Sequence, residues 1–467
     1  MPDTYLNRRK YLLLDSRIIN TTENVSLRVG NASKHPANPL FGEDKPWEVR
    51  YDNLYPNVIF DEDERIFKCW YNPFIIDRAT SETPDAQRTS IDYGKVPNQR
   101  REMGLCYATS QDGITWEKPD LGLIEYHDSK QNNILARASH GPGVFKDLHE
   151  TDPAKRYKML FASDVPAARH GVTVRFSPDG VHWGEPIPVE NKNAARGDAH
   201  HTWLWAPDLL RYVSCSRPMG WGERRKGNQN VPLRPVSRTD SEDFIHWSDA
   251  QIILDPSEPE RQYYVMPICC YADVYLGLLM IFNAVTDRVH CELTWSPDTW
   301  EWHHIDPGTP LIDTSSEIGD YDWGCVYASV PVILPDEIRI YYGASDNTHY
   351  GWRKAYLALA TLKPDGLAGL QPATPNLPGT VTTQAILCAD ARLRVSADAK
   401  GGLIHITMLD SEGQTLEQSQ PITGNVTDAE VAWTSGRDLS AYQNKVIHLR
   451  FQLNNAKLYA FDFQRRL

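Results

Sequence analysis

Side chains that can move protons or bind polar ligands recur just before the first strand of successive strand groups in this sequence. The candidates are Glu48, Arg50, Asp52 and Asn53; His140; Asp198, His200 and His201; Tyr264; and Glu317, Asp322 and Trp323. Two carboxyl groups that flank one bond can act as general acid and as base or nucleophile when one is protonated and the other ionised. His200 and His201 are neighbours, and adjacent residues of a strand face opposite ways, so we expect no metal site there.

A repeated sequence motif, called a box below, marks where each strand group lies in the sequence. Its pattern is Ser, any residue, Asp, three residues and Trp, and it begins at Ser110, Ser177, Ser241 and Ser296. The serine and aspartate are typical of tight turns, where they accept backbone N–H groups, and the tryptophan packs against the sheet. A unit that recurs every ~55 to 67 residues is an internal repeat. We interpret the boxes as structural turns and count back from each to the strand that begins its unit.

The repeats predict a five-bladed β-propeller. Strand patterns with turn signals fall into five groups, and no helical period of ten or more residues stands out. The groups cover residues 55–109, 143–176, 202–214, 263–294 and 326–360. Because the inner strands of a propeller converge on its axis, the residues just before them should meet at one mouth.

The C-terminal part of the sequence predicts a second unit. Residues 364–380 are rich in Pro and Gly, which indicates a domain boundary. The short strand patterns between Ala391 and Phe461 are typical of a small β-sandwich. We therefore predict an all-β chain with a five-bladed β-propeller over 1–375 and a β-sandwich over 376–467. We expect the segment 11–30 to add a strand to the last blade.

Composition limits the partners. The chain has 467 residues, of which 41% are hydrophobic and 23% charged, as in ordinary globular proteins. A net charge of −13 argues against nucleic acids and anionic membranes as partners. The eight cysteines form no Cys-x-x-Cys pair, which indicates buried free thiols in a reducing compartment. The apolar run 11–14 is too short for a signal peptide and no stretch could span a membrane, so we expect a cytoplasmic protein. The sequence leaves homo-oligomerisation open.

Several motifs resemble the five-bladed propeller glycoside hydrolases of the family 32 and 43 type, in particular a bacterial family 32 N-terminal-like branch with a C-terminal sandwich. The motifs are Trp47-Glu-Val-Arg-Tyr-Asp-Asn-Leu-Tyr-Pro-Asn57, Cys106-Tyr-Ala-Thr-Ser-Gln-Asp-Gly-Ile-Thr-Trp-Glu-Lys-Pro119, Asn132-Asn-Ile134, Arg156-Tyr-Lys158, Leu449-Arg-Phe451 and Ala456-Lys-Leu-Tyr-Ala-Phe461. The resemblance covers nearly the whole chain. The Asn-Asp-Pro-Asn signature of fructan-active members is absent, and its nearest equivalent is Asp52-Asn53 with Pro56-Asn57 displaced.

The resemblance implies an enzyme that cleaves a terminal glycosidic bond of an oligo- or polysaccharide without a cofactor. It places the aspartate of blade one, as base or nucleophile, at Asp52. We take Asp198 as the stabiliser or partner carboxylate. Relatives carry the acid as a Glu of blade three, but none stands beside Asp198, so we expect Glu317 or Asp322 to serve. The residues expected to bind the sugar are Glu48, Arg50, Asn53, His140, His200, His201, Arg217, Tyr264 and Trp323.

Two other functions stay open. Arg196, Arg217, Arg224 and Arg225 lie close together in the sequence near blade three, and with His200 they could bind phosphate or an acidic sugar. Phosphorolysis is therefore an alternative to hydrolysis. A non-catalytic carbohydrate-binding propeller is the second alternative, since the 14 Trp and 22 Tyr suit a sugar-binding funnel that needs no paired carboxylates.

Overall fold

The computed structural model describes residues 8–88, 91, 93–96, 100–163, 171–194, 199–218 and 233–463. Within these ranges the chain is nearly all β, and five antiparallel strand groups follow one another as the blades of a propeller. Strands from both ends of the chain form a β-sandwich. The predicted fold class is thereby confirmed. No helix of the described ranges is long and apolar enough to cross a membrane.

The first strands of the chain serve two different parts of the molecule. They are β1 (Tyr11–Leu12), β2 (Ile19–Glu23), β3 (Val25–Val29) and β4 (Ser33–Lys34), with a 3-10 turn at Ser16–Ile18. Strands β1 to β3 pair with C-terminal strands, whereas β4 pairs with the outer strand of blade five. The prediction that segment 11–30 completes the last blade is therefore wrong, because residues 33–34 do so instead.

Blade one carries the longest insertion among the described residues. Its strands are β5 (Arg50–Tyr51), β6 (Asn57–Asp61), β7 (Ile66–Tyr71), β8 (Pro73–Asp77), β9 (Arg101–Ser110) and β10 (Ile134–Arg137). Between β8 and β9 lie α1 (Arg78–Glu82), α2 (Asp85–Arg88) and a 3-10 turn at Tyr93–Lys95. The blade is ordered β6-β7-β9-β10, and β5 pairs with β8 at one end of it. The insertion and the segment before β6 therefore lie at the same end of the blade.

The other four blades repeat the same antiparallel order. Blade two has β11 (Ser139–Lys146), β12 (Tyr157–Ser163), β13 (Val172–Ser177) and β14 (Ile187–Pro188). Blade three has β15 (Thr202–Ala206), β16 (Arg211–Ser216), β17 (Val236–Ser241) and β18 (Gln251–Leu254). Blade four has β19 (Gln262–Val265), β20 (Ile268–Tyr271), β21 (Val274–Asn283), β22 (Arg288–Ser296) and β23 (His303–Ile305). Blade five has β24 (Cys325–Ala328), β25 (Val332–Ile333), β26 (Ile338–Ser345) and β27 (Ala355–Leu362). Two 3-10 turns lie at Pro153–Lys155, between β11 and β12, and at Pro259–Arg261, before β19.

The ring closes between blade five and blade one. The Tyr341 hydroxyl donates to the Gly113 carbonyl oxygen at 2.8 Å, and Arg339 donates to the Asp112 carbonyl oxygen at 2.5 Å. These bonds join β26 to the turn that follows β9. The first and last blades are therefore neighbours, as a closed propeller requires.

The four boxes are turns between the third and fourth strands of their blades. Asp112 Oδ1 accepts the N–H groups of Ile114 and Thr115 at 2.8 and 2.7 Å. Asp179, Asp243 and Asp298 bind two backbone N–H groups in the same way. Each aspartate therefore satisfies the backbone of its own turn, as its sequence pattern predicted.

The C-terminal strands form two layers joined by one long strand. They are β28 (Ala368–Pro372), β29 (Gly379–Thr383), β30 (Ile386–Leu387), β31 (Arg394–Leu409), β32 (Thr415–Gln418), β33 (Ile422–Glu430), β34 (Val446–Asn454) and β35 (Lys457–Asp462), with a 3-10 turn at Ser440–Tyr442. The first part of β31 pairs with β35 and its second part pairs with β34. Between the two parts, a Cβ on Gly402 would lie 2.1 Å from the Asn455 carbonyl oxygen, so glycine is required where the strand changes layers.

The strand pairing does not follow the expected division after residue 375. Strand β28 lies before that point and pairs with β3 and β35, so it belongs to the sandwich. The sandwich also holds β1, β2 and β3 from the start of the chain. All eight cysteines are unpaired, as predicted, although Cys269 is half-buried and Cys270 is exposed.

Candidate functional site

A strained turn presents the blade-one aspartate near the propeller axis. After β5 the chain passes through Leu54 and Tyr55, whose φ angles are +62° and +40°. Positive φ is unfavourable for side chains of this size, and such strain is concentrated at functional sites. The turn lies against blade five, since a Cβ on Gly343 would sit 2.2 Å from the Asn53 carbonyl oxygen. Glycine at position 343 therefore allows the close approach that sets the position of Asp52.

Arg353 of blade five holds this aspartate. Its Nη2 donates to Asp52 Oδ1 at 2.7 Å and to Asn53 Oδ1 at 2.8 Å, and its Nε donates to the Asp52 carbonyl oxygen at 3.1 Å. The Asp52 side chain is 27% exposed. Burial alone would raise the pKa of Asp52, but the charges of Arg353 and Arg50 outweigh it and hold that pKa at about 2. Asp52 is therefore an ionised carboxylate at neutral and mildly acidic pH.

Polar side chains from four blades meet beside Asp52. Asn53 Nδ2 donates to the hydroxyls of Tyr55 at 2.6 Å and Tyr264 at 3.1 Å. The Tyr264 hydroxyl lies 2.8 Å from His349 Nε2, and burial lowers the pKa of His349 well below its usual value. His200 stacks on Tyr55 with ring centroids 5.2 Å apart. The hydroxyl, amide and imidazole groups of this network are neutral, and they lie next to the charged pair of Asp52 and Arg353.

A cavity of about 870 Å³ opens next to Arg353. Its walls come from the segment before β6, the insertion of blade one, the turn before β22 and the loop 346–354 of blade five. Tyr93, Tyr350 and Trp352 contribute aromatic side chains to the lining. A cavity of this volume and mixed lining suits a small polar ligand with apolar faces, such as a saccharide end.

Three carboxyl groups in the cavity wall, those of Glu43, Asp287 and Asp346, have pKa values that burial raises. Burial raises the pKa of Glu43 to about 7, although its Oε1 accepts the Tyr51 N–H at 2.7 Å. Burial also raises the pKa of Asp287, whose Oδ2 accepts the Tyr350 N–H at 2.8 Å. Glu43 is therefore about half protonated at neutral pH while Asp52 is ionised. Asp52 is not itself in the cavity lining and is joined to it through Arg353, which lines the cavity and donates to Asp52. Neighbouring carboxyl groups in opposite protonation states can supply an acid and a base.

Buried arginines lie in and around the cavity wall. Arg217 Nε donates to the Tyr264 carbonyl oxygen at 3.1 Å, and its guanidinium lies 4.3 Å from the Tyr264 ring centroid. Arg234 donates to Gln262 Oε1 at 2.7 Å and to the Tyr350 hydroxyl at 2.9 Å. Both side chains are buried, as are those of Arg50 and Arg353. The charged residues that line the cavity are balanced in number, with four basic side chains and four acidic ones: Arg50, Arg88, Arg353 and Lys354, and Glu43, Asp85, Asp287 and Asp346.

Seven of the predicted residues belong to this assembly. Asp52, Asn53, Tyr264, His200 and Arg217 contact one another directly or through one neighbour. Arg50 lines the cavity, and the charges of Arg50 and His140 both act to lower the pKa of Asp52. His201 is fully buried, with its N–H donated to the Gly141 carbonyl oxygen. The described residues contain no group of three or more His, Cys, Asp or Glu side chains that could hold a metal ion.

Glu48 does not reach the cavity. Its carboxylate accepts the Tyr71 hydroxyl at 2.6 Å and the Lys118 ammonium at 2.8 Å, and it also binds the N–H groups of Asp44 and Lys45. Glu48 is buried with its oxygens fully used. The expectation that it binds substrate is therefore corrected, and its role is to tie the segment before β5 to blade one.

The blade-five candidates also lie apart from Asp52. Asp322 is buried and pairs with Lys34 at 2.6 Å and the Tyr342 hydroxyl at 3.0 Å, so it binds the outer strand β4. Glu317 is exposed, and Trp323 packs under the Arg288 guanidinium at 4.8 Å. None of the three lines the cavity. Asp322 and Trp323 are instead engaged by Lys34 of β4 and by Arg288, so the structure does not bring the blade-five candidates together with Asp52.

Some predicted residues cannot be placed. Asp198, together with Arg196, Arg224 and Arg225, lies outside the described residues.

Four residues of the site were not predicted from the sequence. They are Glu43, Asp287, His349 and Arg353. Each lies in a loop or turn, whereas the predicted site residues lie mostly just before inner strands. The sequence signal for two of them is the run His349-Tyr-Gly-Trp-Arg353, an aromatic and basic loop between two clear strands.

Comparisons with known proteins find only distant similarity to this chain. No protein-family model matches it, and no curated protein matches it. Among solved structures, an N-acetylgalactosamine deacetylase from F. plautii in complex with blood group B trisaccharide is 15% identical, with a TM-score of 0.47, and covers 72% of this chain and 96% of its own. The α-L-arabinofuranosidase PaAbf62A from Podospora anserina in complex with cellotriose is 12% identical, with a TM-score of 0.43, and covers 71% and 97%.

A third solved structure is described in terms of the GH130 family of mannoside phosphorylases, which contains glycoside hydrolases that target β-1,2 mannosidic linkages in Candida mannan. It is 14% identical to this chain, with a TM-score of 0.45, and the match covers 71% of this chain and 94% of the other.

Proposed function

We propose that this protein cleaves glycosidic bonds in the cavity beside Arg353. The observation that carries the proposal is the contrast between Asp52, which Arg353 and Arg50 keep ionised, and Glu43, which burial keeps partly protonated at neutral pH. Glycoside cleavage needs such a pair, one group to protonate the leaving oxygen and the other to act on the sugar carbon or its attacking water. Glu43 takes the first role and Asp52 the second.

The surrounding residues fit the remaining needs of a saccharide. Tyr350 and Trp352 offer rings to a pyranose. Asn53, Tyr264 and His349 form a fixed polar network beside Asp52. Asp287, whose pKa is also raised, is the second candidate for the acid. Substitution of Glu43 and of Asp287 by the matching amides separates the two assignments.

The test is a substrate survey with the full chain. An array of aryl glycosides and reducing-end-labelled oligosaccharides is incubated with the protein, and released sugar is measured. The proposal expects turnover of at least one glycoside that Asp52→Asn abolishes. Saccharide binding by the unmodified chain without any turnover would instead favour a carbohydrate-binding protein and would contradict the proposal.

Phosphorolysis is a second candidate, and the buried arginines around the mouth favour it. Arg50 and Arg353 line the cavity, Arg217 and Arg234 are buried near it, and guanidinium groups of this kind suit phosphate as the attacking group. The same survey is repeated with and without inorganic phosphate. A sugar 1-phosphate product and phosphate-dependent turnover would establish phosphorolysis, and phosphate-independent release of free sugar would establish hydrolysis.

A further inference from the structure

Arg50 is a buried cation with unsatisfied hydrogen-bond donors. Its side chain is 3% exposed, and neither Nε nor Nη1 has a hydrogen-bond partner within the described part of the chain. The Asp77 carboxylate lies 3.9 Å from Nη1, which is too long for a hydrogen bond. Asp77 Oδ2 is occupied by the Tyr93 hydroxyl at 2.8 Å and the Thr80 hydroxyl at 3.0 Å. A buried charge in this state is costly unless another group completes it.

Arg50 reaches the cavity from a buried position. It lines the cavity wall, and the Tyr93 ring covers one face of its guanidinium at 3.6 Å. Stacking on a ring leaves the N–H edges of a guanidinium free to bind an oxyanion. Two other basic groups of this wall are paired, since Arg88 pairs with Asp85 at 2.6 Å and Arg353 pairs with Asp52 at 2.7 Å, whereas Lys354 lines the wall with an exposed side chain.

The carboxylates of Asp52 and Asp77 act on Arg50 as counter-charges, although neither accepts a hydrogen bond from it among the described residues. Glu43 accepts backbone N–H groups and is raised in pKa by burial, so its negative charge is incomplete at neutral pH. Burial and, after it, the charge of Arg353 lower the pKa of Arg50, so the charged guanidinium is less favourable here than in water. An anionic ligand would relieve both effects.

We infer that Arg50 forms a subsite for an oxyanion group, either the carboxylate of an acidic sugar or a phosphate, on the cavity wall beside Asp52. The inference rests on the proposed function in taking the cavity as the substrate site. It adds that the ligand or second reactant carries a negative charge. Arg50 binds that charge through its N–H edge, with the Tyr93 ring fixing the guanidinium plane.

Isothermal titration calorimetry on the full chain at matched ionic strength tests the inference. The probes are inorganic phosphate, D-glucuronate and neutral D-glucose, and the variants are Arg50→Met and Arg50→Lys. The matched control is Arg175→Met, because Arg175 also has an unpartnered Nε and lies over the Phe161 ring, but it does not line the cavity. Circular dichroism and Tm show whether each variant is folded.

The inference expects at least one anion to bind the unmodified chain more tightly than glucose does. It expects Arg50→Met to weaken that binding about tenfold or more, since a charge-assisted hydrogen bond is lost, with Arg175→Met unchanged. Binding of phosphate alone identifies phosphate as the source of the oxyanion, and binding of glucuronate alone identifies an acidic sugar. If Arg50→Met does not fold, Arg50→Lys is compared with the unmodified chain instead, and it should also bind the anion more weakly.

Two results would overturn the inference. One is that neither anion binds more tightly than glucose, and the other is that the folded Arg50 variants bind the anion as well as the unmodified chain does. Because binding is measured without turnover, failure here leaves glycoside cleavage standing. Absence of turnover would equally leave a positive binding result intact.

Discussion

At the scale of single residues, the account depends on two carboxyl groups with opposite protonation. Arg353 donates to Asp52 at 2.7 Å and helps to keep its pKa at about 2. Glu43 lies in the same mouth without a cationic hydrogen-bond donor among the described residues, and burial raises its pKa to about 7. The difference comes from the neighbours, because both are ordinary carboxyl groups in the unfolded chain.

Glu43 should set the alkaline limit of activity. A general acid works only while protonated, so kcat/KM should fall as pH rises through about 7. Glu43→Gln should lower kcat/KM by about 100-fold or more and remove this alkaline limb, measured as a pH–rate profile between pH 4 and 9. Asp287→Asn is the matched control. An unchanged alkaline limb in Glu43→Gln would show that another group donates the proton.

The same residue links stability to pH in a direction that can be checked. Because the folded-state pKa of Glu43 is raised, the folded chain binds more protons than the unfolded chain between about pH 4.5 and 7. The contribution of Glu43 to stability is therefore present below pH 4.5 and is lost as pH rises through 7. The Tm of Glu43→Gln should accordingly fall less than that of the unmodified chain between pH 5 and pH 8.

The sequence allowed Asp52 to be predicted but not Glu43. Asp52 lies at a fixed place in a recognisable motif before the first inner strand, so motif and repeat phase both point to it. Glu43 precedes any strand of the blade, and only the fold brings it beside Arg50. Its raised pKa is a property of burial, which a motif does not encode. The pairing of Asp322 with Lys34 could not be predicted either, because β4 supplies Lys34 from a distant part of the chain.

At the scale of elements, the contact between β26 and the turn after β5 determines where Asp52 lies. A Cβ on Gly343 would lie 2.2 Å from the Asn53 carbonyl oxygen and 3.0 Å from Leu54 Cβ. Gly343→Ala should therefore displace the turn and lower kcat/KM by about tenfold or more. Gly184→Ala is the control, because its Cβ would lie 3.5 Å from the nearest atom. Equal kinetics for the two variants would show that the turn tolerates displacement.

The Ser-x-Asp boxes should contribute to stability and not to catalysis. Asp243 Oδ1 accepts the N–H groups of Ile245 and His246, both at 2.8 Å. Asp243→Ala leaves these groups without their acceptor and should cost about 1–2 kcal/mol in the free energy of unfolding, with kcat/KM unchanged. The adjacent Glu242→Ala removes only an exposed pair with Arg211 and should change stability by less than about 0.5 kcal/mol. Denaturant titration measures both, and a catalytic loss in Asp243→Ala would refute the structural assignment.

The boxes explain why the blades were predictable and the sandwich was less so. Each box follows the third strand of a blade, so counting back from a box gives the position of the inner strand correctly. The sandwich has no such marker, and its partners β1, β2 and β3 lie more than three hundred residues away in sequence. Strand patterns reveal local pairing, whereas pairing between chain ends requires the fold.

At the scale of the whole molecule, a buried charge cluster fastens the start of the chain to both other parts. Lys10 pairs with Asp365 and Asp428, each at 2.8 Å. The Asp365 carboxylate also accepts the Tyr271 hydroxyl of blade four and the Ser396 hydroxyl of the sandwich, both at 2.6 Å. Propeller and sandwich thus share one polar junction.

Removal of the cation should destabilise the whole chain. Lys10→Met leaves the fully buried Asp365 without its counter-charge, which should cost about 3 kcal/mol or more and lower Tm by several degrees. The exposed Lys400→Met is the control and should leave Tm unchanged. Calorimetry measures both. A Tm for Lys10→Met equal to that of the control would show that the junction is not needed for stability.

The most direct test of glycoside cleavage at this mouth compares two aspartates of the same blade. Asp52→Asn removes the carboxylate beside Arg353, whereas Asp112→Asn alters a box turn. On any glycoside that the unmodified protein cleaves, Asp52→Asn should lower kcat/KM by at least about a thousandfold, with Asp112→Asn within about twofold of the unmodified protein. Retention of activity in a folded Asp52→Asn variant, or an equal loss in both variants, would contradict the account.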